Sequence, residues 1–262
     1  MTFANNDVLA FYKALPFNYR DNVEEHAESI IKKSNPYPQL DTILKRKVKV
    51  LDVGCGAGWF SNSIAFHKKC LVDGIDYNPI AIERAKSIAE YMYLDNVTFN
   101  VVDIFKYESE QSYDLAVSLG VLHHTNDCKE GVRRVCSFVK SNGHICIGLY
   151  HKYGRKPFLE EFENMKSNGS SEEEMYIRYC ELDSRFTDET HSRSWFRDQV
   201  LHPHETTHTM KEMTELLNEC NMEVIYTTVE NEEETYYDLG KKYLKDNMYY
   251  PGFFMFIARK NN

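Results

Sequence analysis

The sequence predicts an α/β fold with a doubly wound, mostly parallel sheet of seven strands, preceded by an N-terminal helical extension and interrupted by an insertion after the fifth strand. Three observations carry this. From residue 48 short apolar runs alternate with helix-like stretches. The runs are continuous rather than alternating, as in strands buried on both faces. The first run, Val48-Lys-Val-Leu-Asp-Val53, opens directly into Gly54-Cys-Gly-Ala-Gly58. Glycines at alternate positions let the backbone turn sharply and approach a ligand, and a helix starting there aims its free N–H groups at that ligand.

A dinucleotide-binding turn would carry a third glycine where this chain has Trp59. Here the glycines instead follow an acid, Asp52, at positions 54, 56 and 58. Two further acids end the next strands. Asp76 closes Cys70-Leu-Val-Asp-Gly-Ile-Asp76, 22 residues after Gly54, where a doubly wound fold delivers an acid to a ribose. Asp103 closes Val97-Thr-Phe-Asn-Val-Val-Asp103. On these residues the sequence resembles the class I S-adenosylmethionine-dependent methyltransferases, strongly over 48–150 and weakly beyond. The resemblance implies a Rossmann-like methyltransferase fold with an antiparallel last strand, and S-adenosylmethionine as cofactor. It implies that Asp52 and the turn at Gly54, Cys55, Gly56 and Gly58 hold the methionine part, Asp76 with Tyr77 the ribose, Asp103 with Ile104 the adenine, and that Ser118 lies beside them.

Taken in order, residues 1–47 form the extension. Val8 to Leu15 reads as a helix stopped before Pro16, and Val23 to Lys33 as a second, with an aromatic turn containing Phe17 and Tyr19 between them. By resemblance this extension closes over the cofactor, and Tyr19 becomes a substrate-side candidate; packing onto the body is the alternative. The core, 48–150, holds strands near 48–53, 70–75, 97–102, 113–119 and 143–150. Its helices lie near 57–66, 78–93 and 127–140, the second opened by Asn78-Pro79, a cap followed by proline. The fourth strand runs into Ser118-Leu-Gly-Val-Leu-His-His-Thr, which resembles the form of this loop in many class I methyltransferases; the resemblance implies a place beside the transferring methyl and makes His123 or His124 a candidate base, with hydrogen bonding within the loop as the alternative.

Residues 151–208 break the rhythm, as insertions that select substrates do. This segment and the end of the fifth strand hold the substrate candidates Tyr150, Arg155, Arg193, Arg197, His202 and Glu205. Guanidinium groups suit carboxylate or phosphate, so the expected acceptor is a small anionic metabolite. The stretch Arg197-Asp-Gln-Val-Leu-His202-Pro-His-Glu205 also looks like a pattern Arg-Asp-x-x-x-His-x-x-Glu seen in bacterial methyltransferases of unassigned substrate. Residues 209–262 supply a helix to Asn221, a strand near 222–230, a charged tyrosine-rich stretch and a last strand from Phe253.

His204-Glu-Thr-Thr-His208 spells a zinc-protease motif, which works only when a helix presents both rings on one face. Thr209-Met-Lys-Glu212 reads as a capping box, so the helix is expected to begin after the motif, and no metal is assigned. A helix started by Pro203 is the alternative. Composition sets the outer limits. The formal net charge is −9, which disfavours nucleic acid as partner. Seven cysteines without a Cys-x-x-Cys pair point to a reduced, cytoplasmic setting, and neither a signal-like start nor a long apolar span suggests a membrane. The function expected is methyl transfer to a small molecule, with a protein or tRNA methyltransferase and a non-catalytic cofactor-binding module as alternatives.

Overall fold

The structure is a computed structural model that describes residues 5–20, 22–33, 37–109, 112–186 and 188–262. The first four residues of the extension lie outside the described residues. Seven strands form one sheet: β1 (Lys49–Val53), β2 (Leu71–Asp76), β3 (Val97–Val101), β4 (Tyr113–Leu119), β5 (Val139–Tyr150), β6 (Met222–Thr227) and β7 (Phe253–Lys260). Their order is β3-β2-β1-β4-β5-β7-β6. The first five pair in parallel and β7 runs antiparallel to both its neighbours, as expected.

Side-chain alternation divides the core into two layers. Val50, Leu115, Val117 and Cys146 pack on one face. Leu51, Ala116, Ile145 and Ile147 pack on the other. Both faces are covered because right-handed crossovers place helices on each side. The core helices are α3 (Trp59–Lys68), α4 (Pro79–Tyr91) and α5 (Cys128–Ser137). Asn78 caps α4 by accepting from the Ile80 N–H at 3.1 Å, with Pro79 at the first turn.

Strand order reverses between β1 and β4, so the loops leaving these strands diverge and open a crevice at their carboxyl ends. That crevice becomes the site. One boundary differs from expectation. Strand β5 begins at Val139, straight after α5, because Asn142 adopts a left-handed φ of 59° and Asn142-Gly143 is absorbed as an irregularity within the strand rather than preceding it.

The extension supplies α1 (Asn6–Ala14) and α2 (Val23–Lys32). Ala27 and Ile30 of α2 pack with Ile88 and Met92, anchoring the extension to the α4 side of the sheet. The segment expected as an insertion folds into α6 (Lys152–Ser167), α7 (Glu172–Leu182) and α8 (Glu189–Val200). These helices have their own small core of Phe158, Phe162, Met175, Tyr179, Leu182 and Phe196. The chain then runs without helix to Thr209, whose side chain and Glu212 form the anticipated capping box of α9 (Met210–Glu219). Helix α10 (Thr235–Lys245) lies against α6 before β7 completes the sheet. No helix among the described residues is long and apolar enough to cross a membrane.

Candidate active site

The turn after β1 builds the floor of a cavity. Gly54 sits at φ 74°, and a Cβ there would lie 2.4 Å from the Val121 side chain, so the strand end and the β4 loop can approach only through glycine. Gly56 is also left-handed, with open space where a Cβ would point. Its N–H donates to Asp76 Oδ2 at 2.9 Å, while Asn78 N–H donates to Oδ1 at 2.7 Å. Burial raises the Asp76 carboxyl, and these backbone donors oppose that rise.

Gly54, Gly56, Asp76, Tyr77, Asp103 and Ile104 all line the cavity. Asp103 Oδ1 accepts from the Phe105 N–H at 3.0 Å, and its buried Oδ2 has no partner among the described residues. A nucleoside fits this arrangement. Asp76 faces it where ribose hydroxyls would lie, and Asp103 has an acceptor to offer an exocyclic amino group.

The opposite wall comes from segments distant in sequence. Asn5, Val8, Leu9, Tyr12 and Phe17 reach in from the extension, Leu119 to Val121 with His124 and Thr125 from the β4 loop, and Asp198 from α8. The Tyr12 hydroxyl donates to Asp198. Asn78 Nδ2 donates to the Tyr12 carbonyl at 3.0 Å. Asn18 Oδ1 accepts from His191 Nε2 at 2.7 Å and from Trp195 Nε1 at 3.2 Å, fastening the extension to the insertion.

His124 belongs to a group of histidines that continues beyond the wall. His124 Nδ1 donates to the His204 carbonyl at 3.0 Å, and its ring stacks on His202 at 3.7 Å. Its Nε2 is buried without a partner among the described residues. Burial lowers both rings to about 3, so both are neutral at physiological pH. His123 packs on the Tyr150 ring at 4.2 Å, and neither of its ring nitrogens has a partner among the described residues.

A family model described as a methyltransferase domain matches residues 44–238. The chain belongs to that family. That family agrees with the resemblance drawn from three acids and three glycines. The ubiquinone biosynthesis O-methyltransferase of Proteus mirabilis is 31% identical over 153 residues, covering 56% of this chain and 61% of that protein. The protein of the same name from Yersinia enterocolitica is 28% identical over 156 residues, 55% of this chain and 64% of its own. The chain thus matches less than two thirds of the length of these relatives. Two solved structures share the fold. The magnesium protoporphyrin IX methyltransferase of Synechocystis with bound SAM has a TM-score of 0.57 at 14% identity, covering 98% of this chain and 96% of that one. A putative sarcosine dimethylglycine methyltransferase from Galdieria sulphuraria has a TM-score of 0.56 at 13% identity, covering 97% and 98%.

Several expected positions fall elsewhere in the chain. Asp52, Cys55, Gly58 and Ser118 lie behind the cavity wall. Ser61 Oγ donates to Asp52 at 2.6 Å, and burial pushes that carboxyl up to about 7. Ser118 Oγ donates to the Val53 carbonyl at 3.1 Å, tying β4 to β1. Tyr19 accepts from Arg84 away from the cavity. Arg193 pairs with Glu173 and Glu189 at the surface. Arg155 is fully buried and already matched. Its Nε and Nη2 donate to the two Glu205 oxygens at 2.9 and 2.8 Å, its other donors meet Gln199, and its plane lies 3.9 Å from the Tyr150 ring centre. Gln199 Nε2 in turn donates to the Tyr150 hydroxyl. Arg197 lies over Phe11 at 4.6 Å.

The segment holding His204 and His208 is not helical, which corrects the alternative in which Pro203 starts a helix. The two rings turn to different partners, His204 Nε2 to the Thr125 carbonyl and His208 Nε2 to Thr206. Among the cavity residues outside the expected site residues are Tyr12 and Asp198. Tyr12 sits in a helix readable as simple packing. Asp198 was visible only as the second position of the Arg-Asp-x-x-x-His-x-x-Glu pattern.

Proposed function

We propose that the protein moves the methyl group of S-adenosylmethionine to a small-molecule acceptor bound between the first helix, the β4 loop and α8. The donor, when bound, supplies a methyl already activated by a sulfonium. The protein's own work is therefore to bind, orient and exclude water. Asp103 and Ile104 would hold the adenine, Asp76 the ribose, and the Gly54–Gly56 turn the methionine part. Asp52 acts from beneath, through Ser61 and the start of α3.

One observation carries the catalytic reading. His124 lines the cavity, and its Nε2 is buried and unpartnered among the described residues, in a ring whose orientation is set by the bond from Nδ1 to the His204 carbonyl. A neutral imidazole donating from Nδ1 has an acceptor lone pair on Nε2. That lone pair can take a hydrogen bond from an O–H or N–H of the acceptor and aim the nucleophile at the methyl carbon. A module that only stored the donor would have no use for an acceptor group held in this way. The wall built by α1 and α8 favours a small acceptor over a protein or tRNA, as does the net charge of −9.

An anionic acceptor was expected from three arginines. Arg155 is matched by Glu205 and Arg193 by surface glutamates, so the support for an anion comes down to Arg197, whose Nε has no partner among the described residues. Incubation with methyl-labelled donor and a soluble-metabolite extract tests the reading. Label should pass to a small product, and His124→Ala should lower its formation about 10²-fold while S-adenosylhomocysteine affinity is kept. Absence of transfer by the unaltered protein would overturn the proposal.

A further inference from the structure

The ionisable groups on the cavity wall are unbalanced. Asp76, Asp103 and Asp198 line it, and among the described residues no lysine or arginine does. On the reading above, Asp76 and Asp103 serve the donor's ribose and adenine. Asp198 enters from the opposite side, on α8, and only 4% of it is exposed. Its Oδ1 accepts from the Tyr12 hydroxyl and its Oδ2 from Gln199 Nε2 at 2.6 Å. Both partners are neutral. Arg155 is held bidentate by Glu205 and His202 is neutral, so they offset the burial of Asp198 only in part, and burial still raises its carboxyl above the usual value.

A buried carboxylate without a cation costs several kcal/mol of desolvation, and hydrogen bonds from a phenol and an amide recover only part of it. A protein that keeps such a group at a reaction cavity gains when a positive charge arrives beside it. Tyr12 and His124, which also line the cavity, meet edge to face at 6.3 Å, so the surroundings of this carboxylate are aromatic rather than cationic.

We infer that the methyl acceptor is an amine, with Asp198 facing the nitrogen on which positive charge develops. The inference rests on the small-molecule reading given above. The amine reacts in its neutral form. His124 Nε2 accepts one N–H and turns the nitrogen lone pair toward the methyl carbon. A C–N bond forms as the C–S bond breaks, the bonding pair leaves with sulfur as a neutral thioether, and the nitrogen becomes an alkylammonium that keeps its protons. Positive charge thus passes from sulfur to nitrogen, and no base or second substrate is consumed. Asp198 is fixed beforehand by Tyr12 and Gln199, so it meets the developing charge without reorganising.

The test uses the full chain with methyl-labelled S-adenosylmethionine and a soluble-metabolite extract separated by ion exchange into cationic, neutral and anionic fractions. Most of the label should enter the cationic fraction, in a product that remains cationic. Label mainly in the neutral or anionic fraction would overturn the amine assignment and leave methyl transfer standing, whereas label in none would overturn both. Asp198→Asn should lower turnover on the cationic fraction about 10²-fold or more while S-adenosylhomocysteine affinity stays within about threefold. Asp198→Glu, which restores the charge, should recover part of the turnover. A parallel fall in S-adenosylhomocysteine affinity in Asp198→Asn would assign the carboxylate to the donor's own ammonium and defeat the proposal. Should Asp198→Asn fail to fold, the fractionation with the unaltered protein decides alone.

Discussion

The Tyr12 hydroxyl of α1 donates to the Asp198 carboxylate of α8, joining residues 186 positions apart across the mouth of the cavity. Extension and insertion thereby become a single wall. Tyr12→Phe removes this bond and leaves a buried carboxylate with one partner fewer. Global stability should fall by about 1 to 3 kcal/mol in urea unfolding. An unchanged unfolding midpoint would show that the wall is fastened elsewhere.

Asp76 takes two backbone N–H groups and lines the cavity, so it shapes the glycine turn and, on the proposed reading, would receive the ribose. Asp76→Ala should weaken S-adenosylhomocysteine binding by about 1.5 to 3 kcal/mol. Calorimetry giving unchanged affinity would remove Asp76 from the cofactor site.

The buried Arg155–Glu205 pair joins the start of α6 to the segment after α8. Glu205→Gln leaves the guanidinium buried without its counter-charge, and the loss should reach about 3 to 5 kcal/mol. Denaturant unfolding reads this directly. A loss below about 1 kcal/mol would mean that the Gln199 contacts suffice.

Acid should unfold this protein through its histidines. His26 is fully buried, both ring nitrogens lack partners among the described residues, and burial lowers it from 6.5 to about 3. The unfolded chain takes up a proton near pH 6.5 that the native ring refuses until about pH 3. Its stability contribution is complete above pH 6.5 and is lost as the pH falls through that window, by up to about 1.4 kcal/mol per pH unit. Asp52 works in the opposite sense: raised from 3.8 to about 7, it favours the native state at low pH and loses that contribution as the pH rises through 7. His26→Leu should therefore flatten the fall in melting temperature between pH 6.5 and 4. An identical profile in the variant would show that His26 does not titrate on unfolding.

Turnover should survive chelation. His204 Nε2 is spent as a donor to a carbonyl, and the segment's extended backbone does not present His204 and His208 on one face. Loss of activity in EDTA, restored by one divalent ion, would reverse this assignment.

The sheet was legible because its signal is local. Each strand is a short apolar run, and each strand end that meets the cavity carries an acid or a glycine. The insertion was not, because α8 buries polar side chains: His191, Ser192, Ser194, Asp198 and Gln199 face inward beside Phe196. An apolar periodicity cannot be read where the buried face is made of hydrogen-bonding groups satisfied only by distant segments. The same property hid Tyr12 and Asp198, whose pairing exists only after folding. It also made Arg155 and Arg193 look free, since a sequence does not reveal which acid will neutralise which arginine.

Arg155 has a neighbour on every side: Glu205, Gln199, the Tyr150 ring and the Pro251 carbonyl, with Gly252 so close that a Cβ there would lie 2.1 Å from the Arg155 nitrogen. Positions 155, 205 and 252 are consequently not free to drift one at a time. A related chain that has lost the acid at 205 should also have replaced the arginine at 155, and one with a side chain at 252 should have moved the start of α6. The three positions should therefore be kept or replaced together, a constraint that packing alone imposes at a distance from the cavity.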